Sequence, residues 1–372
     1  MLVVTRNFPP LLGGMERLNW HLVDELAKRY DMEMVGPAGS ARHSPPGVRA
    51  HESPLAPLWR FLLVAGWQAM RQSQKSKPRV VLAGSGLTAP LALLAARLSG
   101  AQAMSYVHGL DISVPHPVYR ALWWPVLRRM DRVISNSHAT AELAKGIGVS
   151  AARIGVVHPG VRLPAPDPAA RARFRAAHGL DDAPVLLSVG RLTQRKGLRE
   201  FVEETLPRIF AARPDVQLVI LGDAPVNALY GGSQTRDNIQ AAANAAGVGA
   251  VLRFLGRQSE QNLADAYAAA DVHVFPVRYI PDDPEGFGMV AIEAAAHGLP
   301  TVAYATGGVT EAVADGISGL LVEPGDSAGF AQAVLKQLAA PLPPAGVRTF
   351  AERFAWIHFG ASLAQEIESC RA

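Results

Sequence analysis

Glu285 and Glu293 stand eight residues apart, on either side of the run Gly286-Phe287-Gly288-Met289-Val290. Gly286 and Gly288 open a turn, and the Ala-rich run Met289 to His297 predicts a helix stopped by Gly298 and Pro300. Before the turn, Val272 to Val277 alternates and is β-branched, which predicts a strand. A strand, a glycine turn and a helix N-terminus together receive an anion, because free N–H groups and the helix dipole point at it. A carboxylate beside a phosphate repels it, so the two glutamates need other partners. Acceptor-only groups suit the hydroxyls of a ribose or a sugar.

Three further constellations carry chemistry. Arg191 and Lys196 follow the strand Val185 to Val189 within one short turn, a planar fork and a point charge suited to a diphosphate. His108 ends the strand Met104 to Val107 in the run His108-Gly109-Leu110-Asp111. Ligands gather at the carboxyl ends of strands in open parallel sheets. Gly13 and Gly14 lie between a first strand, Leu2 to Thr5, and an amphipathic helix, Glu16 to Tyr30, and form another phosphate or sugar cradle. Each has a plainer explanation: a core helix with solvated glutamates, surface charges on a turn, a structural histidine, an ordinary βα connection.

The elements that must position these residues alternate along the chain. Met32 to Gly36, Arg79 to Ala83 and Arg132 to Asn136 read as strands, with Leu87 to Leu98 a helix. Further on, Val216 to Leu221, Val251 to Leu255 and Thr301 to Tyr304 read as strands and Ala264 to Ala270 as a helix. Alternating βα units predict the α/β class, with parallel sheets covered by helices. A chain of 372 residues exceeds what one core serves, so two domains are expected. Ile154 to His158 closes the first, and the proline-rich Leu163 to Pro168 reads as a linker. The expected boundaries are 1–165 and 166–350, with 351–372 a terminal helix that begins near Phe350. Asn227 to Asn238 is a polar insertion with no assigned structure.

Charge is uneven. Residues 1–165 hold 19 Lys and Arg against 9 Asp and Glu, a net of +10, whereas the rest carries a net of −6. A basic half implies an anionic partner: a phosphorylated acceptor, an acidic membrane surface or nucleic acid. No nucleic-acid-binding signature is present, so nucleic acid is set aside. The apolar, aromatic stretch Leu58 to Trp67, followed by Arg71, Lys75, Lys77 and Arg79, fits either a helix on a membrane surface or a core helix with a basic tail. Trp123-Trp124 before Arg128, Arg129 and Arg132 has the same two explanations. The single cysteine, Cys370, excludes a disulfide within the chain and fits a reducing, cytoplasmic setting. The N-terminus reads as a strand rather than a signal peptide. Asp282 and Asp283 are adjacent carboxylates in a proline-bounded loop, weak evidence for a metal.

Glu285-Gly-Phe-Gly followed by Glu293 resembles the E-x7-E motif of family 4 retaining glycosyltransferases, and the Gly190-Arg191…Lys196-Gly197 element resembles that family's as well. The resemblance covers nearly the whole chain and is nearest to mannosyltransferases of the phosphatidylinositol-mannoside type. It implies the GT-B arrangement, two Rossmann-like domains facing a cleft, with the final helix crossing back to the first. It implies a hexose moved from a nucleotide sugar, GDP-mannose favoured, to a hydroxyl of a lipid-linked or cell-envelope glycan, with retention. By the same resemblance His108 contacts the donor sugar, the Gly13-Gly14 loop faces diphosphate and acceptor, and Phe254 and Leu255 lie by the base through their backbone. Thr306-Gly307-Gly308 resembles the family's donor-phosphate loop. Catalytic roles fall on His108, Arg191, Lys196 and Glu285, and donor binding on Gly13, Gly14, Arg191, Lys196, Phe254, Leu255 and residues 285–290 with Glu293. The family is generally metal-independent, so neither metal nor cofactor is expected, and the enzyme is placed in the cytoplasm, at the inner membrane face if it binds lipid.

Competing assignments remain. UDP-glucose or UDP-N-acetylglucosamine could replace GDP-mannose. A nucleotide-sugar 2-epimerase shares the fold but needs acid/base groups and would turn over its substrate without an acceptor. A non-catalytic nucleotide-sugar-binding subunit is disfavoured by the intact Arg191, Lys196, Glu285 and Glu293.

Overall fold

The structure, a computed structural model, describes residues 1–224 and 234–370. The chain forms two compact units, one of Met1–Gly160 with the C-terminal segment from Trp356, the other of Val161–Ala355. In the first, β1 (Leu2–Val4), β2 (Glu33–Pro37), β3 (Arg49–Ser53), β4 (Val80–Ala83), β5 (Gln102–Val107), β6 (Arg132–Ser135) and β7 (Ile154–Val156) form a sheet in the order β3-β2-β1-β4-β5-β6-β7. In the second, β8 (Val185–Val189), β9 (Gln217–Leu221), β10 (Leu252–Gly256), β11 (Val272–Phe275), β12 (Thr301–Tyr304) and β13 (Gly319–Val322) follow the order β10-β9-β8-β11-β12-β13. Neighbours pair in parallel throughout, for example Val272 with Leu186 and His273 with Leu187. These are two Rossmann-like doubly wound sheets. In each, strand order reverses once, between β1 and β4 and between β8 and β11, and such switch points open a crevice at the strands' carboxyl ends.

The strands are near-continuous apolar runs because both faces are covered. Leu186, Val216, Leu218, Val272 and Val302 meet the helices on one face of the second sheet, while Leu187, Val219, Leu221 and Ala266 fill the other. Val161 and Phe354 are both buried, and Val161 N–H donates to the Phe354 carbonyl at 2.6 Å. Residues 161–165 and 351–355 thus belong to the second unit, with Val161, Ala351 and Phe354 in its core. The terminal segment is two helices, Pro344–Glu352 and Trp356–Ser369, and the latter packs in the first unit against the helix Gly14–Ala27.

The helix Leu58–Ser76 resolves the first aromatic stretch. Phe61, Ala65 and Ala69 face the core, but Trp59, Leu63 and Trp67, one turn apart, are 63%, 66% and 55% exposed. Trp123 and Trp124 are instead half-buried, their indole N–H groups donating to the Leu87 and Ile112 carbonyls at 2.9 and 3.0 Å. Of the polar insertion, residues 227–233 lie outside the described residues; its end enters the helix Arg236–Ala245, capped by the Thr235 hydroxyl.

Candidate active site

At the second unit's switch point the structure brings Lys196 and Glu285 together with Arg191 nearby, while His108, Gly13 and Gly14 lie in the first unit. Leaving β8, the chain passes Gly190 and tightens into a short turn, Gln194–Lys196, ended by Gly197 at φ +66°. A Cβ on Gly197 would run into the Pro276 carbonyl oxygen, so glycine lets this turn close on the segment after β11. The Arg278 N–H donates to the Arg195 carbonyl at 2.8 Å across the same contact.

Lys196 projects from that turn. Its Nζ lies 2.8 Å from Glu285 Oε2 and 4.5 Å from the centroid of the Phe275 ring. Burial pushes the Lys196 ammonium below the ordinary lysine value, against the opposing pull of Glu285. Burial alone would raise Glu285, but Arg195, Lys196 and Arg191 outweigh it and hold the carboxyl at about 2. Arg191 is exposed and near enough to act on both groups. The site is therefore a largely buried ion pair beside a solvent-accessible guanidinium.

Arg195 was not singled out from the sequence. It is buried, donates from Nη1 to the Pro284 carbonyl at 2.8 Å, and lies 3.7 Å from Asp283 and 3.6 Å from Glu285. Asp283 thus faces a guanidinium. Arg195's position one residue before Lys196 was the available signal; its partners some ninety residues away were not.

The helix Met289–Ala296 starts after Gly288, which sits at φ +99° and leaves no room for a Cβ beside the Phe275 ring. Gly308 N–H donates to the Glu285 carbonyl at 3.1 Å, and a Cβ on Gly308 would collide with the Gly286 carbonyl. The glycine turns after β11 and β12 are thereby packed backbone on backbone. Phe287 turns its ring into the core against Phe354, so its backbone is what it offers at the turn. Glu293 is half-buried and accepts from the Tyr267 hydroxyl at 3.2 Å, a partner not anticipated from sequence. Phe254 packs on one face of β10 and Leu255 on the other.

In the first unit His108 is buried at the end of β5. Its Nε2 lies 2.9 Å from the Gly84 carbonyl oxygen, so that nitrogen carries a proton and donates. Asp111 fixes the loop: its carboxylate accepts from the backbone N–H of His108 at 2.8 Å and of Gly86 at 2.7 Å. Gly13 and Gly14 are exposed, and the Glu16 carboxylate, which accepts from Asn7 at 2.8 Å, occupies the space a Gly13 side chain would need.

Residues 170–351 match the family model "Glycosyl transferases group 1", and residues 12–163 match "Glycosyltransferase Family 4". A Mycolicibacterium smegmatis protein named GDP-mannose-dependent alpha-(1-6)-phosphatidylinositol monomannoside mannosyltransferase is 31% identical over 388 residues, covering 100% of this chain and 99% of its own. A D-inositol 3-phosphate glycosyltransferase of Mycolicibacterium vanbaalenii is 37% identical over 288 residues, which is 74% of this chain but 61% of that relative's length. Among solved structures, Anabaena HepE in complex with UDP-glucose superposes with a TM-score of 0.82 at 19% identity, over 99% of this chain and 100% of that one. Sucrose-phosphate synthase from Thermosynechococcus elongatus gives 0.78 at 24% identity, over 99% and 98%. The chain belongs to the family 4 glycosyltransferases, enzymes of the GT-B fold.

Proposed function

We propose that this enzyme transfers a hexose, mannose from GDP-mannose, to a hydroxyl of a lipid-linked or cell-envelope glycan acceptor with retention at the anomeric carbon. The observation that carries it is Lys196, held in a buried pair with Glu285 at the β8/β11 switch point, beside the exposed Arg191. When the sugar's C1–O bond to the diphosphate breaks, negative charge grows on the leaving oxygen. Arg191, Lys196 and the N–H groups of residues 286–289 are suited to stabilise it in place. The acceptor oxygen bonds to C1 on the same face, and its proton passes to the departing phosphate oxygen. Glu293 holds the ribose hydroxyls, Glu285 the sugar hydroxyls, and His108 is the first unit's candidate contact to the sugar.

The relative aligned over the full chain supports GDP-mannose, and both relatives are named for acceptors containing a phosphorylated inositol. HepE was solved with UDP-glucose, so uridine donors belong in the test. A thermal-shift panel of GDP, UDP, GDP-mannose, UDP-glucose and UDP-N-acetylglucosamine reads donor choice, since a ligand that binds the native state raises its apparent stability. Transfer of labelled mannose to phosphatidylinositol mannosides then tests the acceptor. A response to uridine ligands alone overturns GDP-mannose; no response to any of the five overturns nucleotide-sugar transfer.

We further propose peripheral contact with an anionic membrane through the helix Leu58–Ser76. Its exposed Trp59, Leu63 and Trp67 stripe has Arg71 over the Trp67 ring at 5.3 Å. Between Glu52 and Asp111 the chain carries six Lys and Arg and no Asp or Glu. Aromatic and aliphatic side chains among cations suit the headgroup boundary of an acidic bilayer. The same excess of positive charge opposes pairing with a second copy of this face. No helix among the described residues is long and apolar enough to cross a membrane.

A further inference from the structure

Lys196 and Glu285 are each assigned to the donor, yet they are bonded to each other. A lysine that neutralises a carboxylate is not fully available to a diphosphate. A carboxylate abandoned in a buried place is strongly unfavourable, so Lys196 cannot leave unless another cation takes over.

Arg195 is placed to do so. It is buried, and a planar guanidinium is the cation best suited to a buried carboxylate. Nη1 is anchored on the Pro284 carbonyl at 2.8 Å, next to Glu285 in the chain. Nε has no hydrogen-bond partner and is shielded from solvent, but lies 3.6 Å from Glu285 Oε2. That gap is about half an ångström beyond a normal N–H···O bond, within reach of a small rotation of the Glu285 side chain. An orphaned donor in a buried site is costly, and here it faces the oxygen that Lys196 now holds.

Resting on the donor assignment above, we infer that Arg195 is a positioning residue that accepts the Glu285 carboxylate when Lys196 turns to the donor diphosphate. The exchange breaks one Lys196–Glu285 hydrogen bond and forms one from Arg195 Nε, with no proton transferred. Without Arg195, Lys196 is trapped on Glu285. Arg195 also faces Asp283, and this second carboxylate keeps the guanidinium in place during the exchange.

A double-mutant cycle on the full-length chain tests this, read by calorimetric titration with GDP and with UDP. Arg195→Met should weaken whichever nucleotide binds about tenfold or more, the scale of a charge-assisted hydrogen bond. In a Glu285→Gln background, where no carboxylate holds Lys196, the same change should cost less than about twofold. Arg195→Lys keeps the charge without the fork, and should show the same pattern at smaller size. Circular dichroism confirms that each variant is folded, and Arg195→Lys alone decides the matter if Arg195→Met is not. Equal losses in both backgrounds overturn the inference, because a scaffold or a direct phosphate contact does not depend on Glu285. No loss in the native background overturns it too. Loss of affinity in Lys196→Ala is a separate matter: if that loss is missing, the donor assignment itself falls.

Discussion

Lys196 Nζ lies 2.8 Å from Glu285 Oε2, although the two residues are 89 apart in sequence. Each stands in a motif proposed to bind the donor, and the fold makes the two partners of each other. Lys196→Ala should weaken nucleoside diphosphate binding by about 1.5–3 kcal/mol, the range for a hydrogen bond to a charged group. Titration calorimetry against the donor's nucleoside diphosphate measures it; unchanged affinity would remove Lys196 from the phosphate site.

The two glutamates should fail differently. Glu293 sits within the helix and is oriented by Tyr267, so Glu293→Gln should weaken both the bare nucleoside diphosphate and the sugar donor. Glu285→Gln frees Lys196, so nucleoside diphosphate affinity should hold or rise while turnover falls. A contact felt at the reacting sugar appears in kcat more than in ground-state binding. If both mutants lose nucleotide affinity equally, the two roles are misassigned.

Much of this was legible in sequence, for a physical reason. Strands covered on both faces read as apolar runs, and Val185–Val189, ended by Gly190, and Thr301–Tyr304, preceded by Pro300, were placed to the residue. The edge strand Arg49–Ser53 was missed, because it is polar and partly exposed, with no periodic signal. The helix Glu260–Ala269 begins four residues before the first alanine of its run, because the Ser259 side chain caps polar residues. The terminal helix breaks at Arg353–Ala355, where packing of Phe354 into the second unit's core overrides the helical pattern. Local spacing singled out Arg191, Lys196, Glu285 and Glu293 as candidates. It could not give Arg195 or Tyr267, whose partners are distant in sequence. Nor could it show which face of Leu58–Ser76 is covered.

Nucleotide affinity should have an alkaline limb below the ordinary lysine value of about 10.4. Burial and the neighbouring guanidinium groups of Arg195 and Arg191 favour the neutral amine, and only Glu285 opposes them. Loss of the proton removes the attraction to diphosphate, so binding weakens as pH rises. Glu285, at about 2, stays ionised throughout and adds no acid limb above pH 4. Calorimetry between pH 7 and 10 checks this; a flat profile would place Lys196 away from the phosphates.

Arg191 and Lys196 flank the proposed diphosphate position, while Arg195 faces the Glu285 and Asp283 carboxylates. They supply the positive charge that a divalent ion would otherwise bring to a leaving diphosphate. The transfer rate should therefore survive excess EDTA within about twofold. A collapse of the rate that Mg²⁺ or Mn²⁺ restores would show that the cation set is insufficient.

The exposed stripe on Leu58–Ser76 should make membrane binding depend on both lipid charge and apolar contact. Replacing Trp59, Leu63 and Trp67 by serine removes side chains that are more than half exposed while leaving Phe61, Ala65 and Ala69 in the core, so the fold should be retained. The native chain should co-sediment with vesicles containing phosphatidylglycerol and not with neutral phosphatidylcholine. Binding should weaken with salt, because exposed charges are screened over about 8 Å at physiological ionic strength. The triple mutant should bind anionic vesicles about tenfold or more weakly, as burial of each large apolar side chain is worth roughly 1.5–3 kcal/mol when complete. Its hydrolysis of the sugar donor in the absence of lipid should match the native rate, since the stripe lies in the first unit and the donor residues Arg191, Lys196, Glu285 and Glu293 in the second. Equal binding to neutral and anionic vesicles, or undiminished binding by the triple mutant, would show that this face does not meet the bilayer. Concentration-dependent dimerisation that the triple mutant abolishes would assign the stripe to a second copy of the chain instead.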